Sequence, residues 1–99
     1  MKPILKDPNA KLDLSVDWTD YLASAETIDT STWAVEGASS ADTTPLAIAG
    51  SPAPTNASGI TTAFVEAGTL GEVYQVRNRI TTNQGRTDDR SRTVRIGSR

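Results

Sequence analysis

Apolar and polar residues alternate with a period of two along most of this chain, and no segment keeps the 3.6-residue period of an amphipathic helix. Residues 11–17 are the plainest case: Leu12, Leu14 and Val16 point one way, and Lys11, Asp13, Ser15 and Asp17 the other. Residues 27–35 form a second strand in which Ile28 and Trp33 are out of phase. A bulge near Thr30 and Ser31 would bring both to the core side. Residues 45–49 give a short strand with Leu46 and Ile48 inward, and residues 60–66 place Ile60, Thr62 and Phe64 on one face. The longest alternation runs over residues 72–82, with Tyr74, Val76, Asn78 and Ile80 on one face and Val73, Gln75, Arg77 and Arg79 on the other. Asn83, Gln84, Gly85 and Arg86 form a hairpin connection, and residues 90–96 close the domain with Val94 and Ile96 inward. Arg92 shares their parity, so its guanidinium either enters the core side, lies beyond the rim or stacks on Trp18 or Trp33. At most a single helical turn fits residues 19–23.

The breaks between strands are as informative. Asp7-Pro8-Asn9-Ala10 is turn chemistry, so residues 1–10 read as an extended arm outside a domain of residues 11–97. Pro3 and Pro8 keep that arm non-helical. Residues 37–44 read as a loop. Residues 50–59, with Pro52 and Pro54, are the richest in chain breakers and read either as an extended surface loop or as an insertion that meets a partner. Asn56-Ala57-Ser58 has the form of a glycosylation acceptor, but the first residues lack the apolar stretch of an export signal.

At 99 residues the chain has room for one domain. Its core must be lean, since only Trp18, Tyr21, Trp33, Phe64 and Tyr74 are aromatic. The sequence holds neither Cys nor His. These absences exclude disulfides, Cys/His zinc sites, the Ser-His-Asp triad and the Cys-His pair. The expectation is a protein without catalytic residues, cofactor or metal. No segment approaches the roughly 20 apolar residues of a membrane helix.

Charge sharpens the picture. The net charge is only -2, but all three Lys lie in the first eleven residues and all seven Arg from Arg77 onward. Such asymmetry suits strand-to-strand pairing or docking between neighbouring copies. A nucleic-acid face is disfavoured in an acidic chain of isoelectric point about 4.9. The Asp88-Asp89 pair is flanked by Arg86 and Arg90, which compete with any metal for the carboxylates. Asp17 and Asp20 bracket Trp18, but a lean domain of 99 residues has little room for the cleft in which a glycosidase holds such a pair.

Gly71-Glu72-Val73-Tyr74-Gln75-Val76 resembles the corner that opens strand F of immunoglobulin-like sandwiches. The expected fold is therefore an all-β, immunoglobulin-like sandwich of about six or seven antiparallel strands. A broader resemblance rests on Lys6-Asp7-Pro8, Leu12-Asp13-Leu14-Ser15-Val16-Asp17-Trp18, Ser31-Thr32-Trp33, and Tyr74 to Thr82 followed by Gly85 to Ser91. In that order they look like small virion proteins of tailed bacteriophages, of the fibre–tail adaptor type. The resemblance implies a non-enzymatic structural protein, made in the host cytoplasm and built into the virion. Its partners would be tail, fibre or capsid proteins and copies of itself, with neither nucleic acid nor membrane. The candidate contacts are Lys2, Pro3, Ile4, Leu5, Pro52, Pro54, Arg77, Arg79 and Arg86. A capsid decoration protein would use the same features; a carbohydrate- or receptor-binding module would need Trp18 and Tyr21 exposed.

Overall fold

A computed structural model of the chain describes residues 4–97. Among them the regular structure is all strand: β1 (Ile4–Lys6), β2 (Leu12–Asp17), β3 (Ile28–Glu36), β4 (Ala47–Ile48), β5 (Thr55–Ala57), β6 (Ile60–Glu66), β7 (Val73–Thr82) and β8 (Thr87–Ile96). One sheet has the order β1-β8-β7-β3; the other has the order β2-β6-β4, with β5 also paired to β6. The core lies between the sheets. Leu14 and Val65 of one meet Tyr74, Val76, Val94 and Ile96 of the other, and Leu46 closes the layer. Each fully buried Val, Leu or Ile contributes about 1.5–3 kcal/mol relative to exposure.

Cross-strand pairing explains which faces turn inward, because residues directly opposite in an antiparallel pair share a face. Opposite the apolar set of β2 stand Val65, Ala63 and Thr61 of β6, and all three are buried. The face holding Ile60, Thr62 and Phe64 is thus the outer one. Two aromatic-sized faces would overfill the gap, and the small inward residues of β6 let the sheets approach. In β3 the register shifts between Ile28 and Thr30. This bulge sits one residue before the expected place and has the expected effect. Ile28, Ser31, Trp33 and Val35 fall opposite the buried Thr82, Ile80, Asn78 and Val76.

The arm expected over residues 1–10 is, from Ile4 to Lys6, a strand of the sheet. It pairs in parallel with β8, Ile4 opposite Val94 and Lys6 opposite Ile96. Ile4 packs on the core and Lys6 is fully buried, while Leu5 between them stays exposed. Lys6 Nζ donates to the carbonyls of Ala67 (2.6 Å) and Asp7 (2.9 Å). Burial pushes this ammonium's pKa down, against the pull of Asp7 and Glu66. Lys2 and Pro3 lie outside the described residues. The turn after β1 forms as expected, with Asp7 accepting from the amides of Asn9 and Ala10.

β4 and β5 pair with successive parts of β6, at residues 65–66 and 60–62. They are two pieces of one edge line, split by an exposed excursion at residues 50–54. Pro52 and Pro54, which have no N–H to offer a ladder, occupy that excursion.

Candidate functional site

Connections gather at the two ends of the strands. One end joins residues 18–27, the turn at Ser58 and Gly59, and the hairpin at residues 83–86. Trp18 follows β2 directly, and its amide donates to Gly59 O at 2.8 Å. The indole is fully buried, and its Nε1 donates to Asn78 Oδ1 at 2.9 Å. Asn78 Oδ1 also accepts from the Thr61 hydroxyl, while its Nδ2 donates to Ser31 Oγ and Thr32 O. A buried amide with every atom partnered fixes the meeting of both sheets at this point.

Around that amide lies a shell of arginines. Arg90 stacks on Trp18, 4.4 Å from the ring centre, and Arg86 on Tyr21 at 4.3 Å. Arg86 also grips Glu26, with Nε to Oε2 at 2.9 Å and Nη2 to Oε1 at 2.5 Å, and donates to Tyr21 O. Bonds from Arg86 first, then from the Ala23 amide and the Thr82 hydroxyl, lower the Glu26 carboxyl to about 2. A shallow cleft of about 420 Å³ opens beside this loop, lined by Leu22, Glu26, Ile28, Asn56 and Gly59 among others. Its one carboxylate is already saturated, so the cleft offers shape with little free chemistry.

The opposite end is the corner at residues 67–74. Tyr74 Oη accepts from the Thr69 amide (3.2 Å) and donates to Asp42 Oδ2. Asp42 Oδ1 takes the Thr69 hydroxyl at 2.6 Å. Thr69 and then Tyr74 hold the Asp42 carboxyl below the usual range. Gly68 has φ +105°, and a Cβ there would stand 2.7 Å from Ile96 Cδ1. Only glycine meets both demands. Gly71, also at positive φ (+90°), serves the expected turn into β7.

The outer face of the β1-β8-β7-β3 sheet carries the remaining candidates. Arg77 pairs with Glu36 at 3.1 Å, and Arg79 grips Asp89 with both Nε and Nη2. The Arg79 pairing lowers the Asp89 carboxyl. Leu5, Arg95 and Val73 form one row across three strands, with Leu5 45% and Val73 48% exposed. Leu70, 61% exposed, stands in the turn that leads into β7. Among the described residues Arg95 has no carboxylate partner.

The structure thus brings the predicted residues to different places. Ile4 faces the core; Leu5 belongs to an exposed apolar row; Pro52 and Pro54 sit on the edge excursion. Arg77 and Arg79 share a face as expected, ion-paired within the sheet, and Arg86 clamps the 18–27 connection. Asp17 caps its own turn through the Thr19 amide and hydroxyl, and Asp20 pairs with Arg90 at 3.3 Å. Those two acids form no cleft. Trp18, on which a carbohydrate-binding reading depended, is covered. Among the described residues no cluster of three or more acidic side chains is placed to hold a metal. Sequence reasoning missed Val73 and Arg95 as a row with Leu5, although the outward parity of Val73 signalled it.

Comparison with known proteins gives the same direction. No curated protein is found to match this chain. A family model described as podophage GP4 fiber-tail adaptor protein gp77 matches residues 6–95, from the buried Lys6 through the Trp18, Tyr74 and Arg90 positions to Arg95. A match of that extent covers both sheets and both ends, and the chain belongs to this family of phage virion adaptors between fibre and tail.

Proposed function

We propose that the protein is a non-catalytic joint of the virion, an immunoglobulin-like sandwich that binds fibre on one side and tail on another and also touches copies of itself. The observation that carries this reading is the family match across residues 6–95. The sandwich reading is supported by the grouping of β3, β7 and β8 in one sheet and β2, β6 and β4 in the other. It corresponds to the C-F-G and B-E-D grouping of that fold. Tyr74, near the start of β7 with its hydroxyl bonded back to Thr69, is the expected corner tyrosine.

A role without catalysis is supported by a sequence free of His and Cys and by carboxylates engaged in internal bonds. Direct nucleic-acid binding is disfavoured because Arg77, Arg79, Arg86 and Arg90 are matched to Glu36, Asp89, Glu26 and Asp20. Phosphate contacts need charge that is still free. Surfaces for neighbours are the Leu5–Arg95–Val73 row and the excursion with Pro52 and Pro54. Several copies around one axis would add weak contacts into a firm joint.

The reading is tested by cryo-EM of purified particles, with density for this fold expected at the junction of tail and fibre. Its absence from purified virions overturns the reading, and density on the capsid surface assigns a decoration role instead.

A further inference from the structure

Among the described residues, the directions of the main-chain bonds in β8 leave one stretch of its edge open. Ile96 donates its amide to Glu72 O and accepts from the Gly71 amide, and Arg86 O accepts from Thr82 N, all at 2.8–2.9 Å. The register between β7 and β8 is unbroken from Val73 opposite Arg95 to Thr81 opposite Thr87. The even-numbered residues of β8 therefore turn their amides and carbonyls toward β7, and Thr87, Asp89 and Ser91 turn theirs to the other edge. β1 holds that edge only opposite Val94, Arg95 and Ile96. Asp88 Oδ1 covers the Asp89 amide at 2.8 Å. Among the described residues nothing covers Ser91.

The facing edge of β2 is different. Its outward carbonyls at Ser15 and Asp17 are already taken, by Arg92 Nη1 at 3.3 Å and Arg90 Nη1 at 2.9 Å. Two guanidinium groups occupy the line where a further strand would bond to β2. Between the two edges runs a seam of about 300 Å³ lined by Ser15, Val16, Asp17, Arg90, Ser91 and Arg92. Arg92 has no carboxylate within ion-pair distance among the described residues, and its buried Nε has no acceptor.

We infer that the edge of β8 around Ser91 accepts an extended segment from a neighbouring virion protein as an added strand, with an acidic side chain of that segment turned into the seam toward Arg92. The mode continues what β1 does on the same edge: main-chain bonds supply the attachment and the inward side chain supplies the selection. A carboxylate fits because the Arg92 guanidinium has no acidic partner among the described residues, and one would supply a charge-assisted bond. The occupant's source rests on the adaptor reading; the open edge does not.

The test uses the full ¹⁵N-labelled chain and, as probe, a capped heptapeptide of alternating threonine and valine with a central glutamate. The expected result is saturable binding with amide exchange at Ser91 slowed at least tenfold. A glutamine peptide and the variant Arg92→Gln should each weaken binding tenfold or more. Ser91→Pro removes the outward amide without touching the β7 ladder and should abolish binding with the fold intact, so the idea stays testable if Arg92→Gln unfolds. Equal binding of the two peptides, protection on β2 at Asp13 or Ser15, or no binding at millimolar peptide overturns the inference. Concentration-dependent protection of Ser91 without peptide would give the edge to a second copy and overturn it as well. Failure here leaves the adaptor reading standing, since that reading depends on the protein's place in purified particles.

Discussion

The two ends of the molecule are held by different chemistry. At the corner end a phenol, a threonine and one aspartate share hydrogen bonds, and the buried cation there, Lys6, is spent on backbone carbonyls. At the hairpin end two arginines stack on aromatic rings and pin a ten-residue connection through Glu26 and Asp20. The corner is a continuous turn between adjacent strands of opposite sheets, and hydrogen bonds gathered around one carboxylate suffice to set its angle. The 18–27 connection has no strand of its own, and the guanidinium groups supply the fixed multi-donor geometry that such a loop lacks. Much of the C-terminal arginine excess is thus internal fastening, and only Arg92 and Arg95 remain without carboxylate partners among the described residues.

Substitutions separate the two schemes. Trp18→Ala should be the most damaging, at about 3–5 kcal/mol, because it empties a fully buried site and strands the Asn78 amide; urea unfolding reads the loss. Gly68→Ala follows, at about 2–3 kcal/mol, from overpacking against Ile96 and a strained backbone, again read by urea unfolding. Tyr74→Phe should cost about 1–3 kcal/mol through the lost bond to Asp42, and amide exchange should rise at the corner while the hairpin end stays protected. Equal loosening of both ends would break the comparison.

Acid should act mainly on the hairpin end. Glu26 lies at about 2 in the folded chain against an ordinary 4.5, so its contribution is present above 4.5 and is lost as pH falls toward 2. Melting followed over that range should show the decline, and Arg86→Gln should flatten it. The smallest effect is expected for Arg77→Ala, under about 0.5 kcal/mol in thermal melts, since it pairs with an exposed Glu36 and is itself only half-buried.

The long strands were legible because alternation is strict where one face is buried: β2, β7 and the Val94–Ile96 end of β8 lie as their patterns imply. The corner at Gly71–Tyr74 was legible too, from a turn glycine shortly before an inward tyrosine. Its partner Asp42 was not, since a loop residue 32 positions away leaves no periodic trace. β5 is three residues inside a run of breakers, too short to show a period. The burial of Lys6 was hidden because a lysine ordinarily marks the solvent side, and the carbonyls of Ala67 and Asp7 that receive its ammonium leave no trace in the alternation. The fate of the arginines could not be read from the chain alone. Arg90, not Arg92, covers Trp18, because cross-strand register and not parity decides which guanidinium reaches an indole.

The parallel pairing of β1 with β8 has a mechanical consequence. Gly97 N bonds Lys6 O at 2.9 Å, so the polypeptide enters and leaves the domain along neighbouring strands that run the same way. A pull applied between Ile4 and Gly97 along the strands drags β1 past β8 and strains their bonds together, where an antiparallel pair pulled from its open end would lose its bonds singly, in sequence. For a component that ties a fibre to a tail, a strand of only three residues held in this way resists best when the pull runs along it.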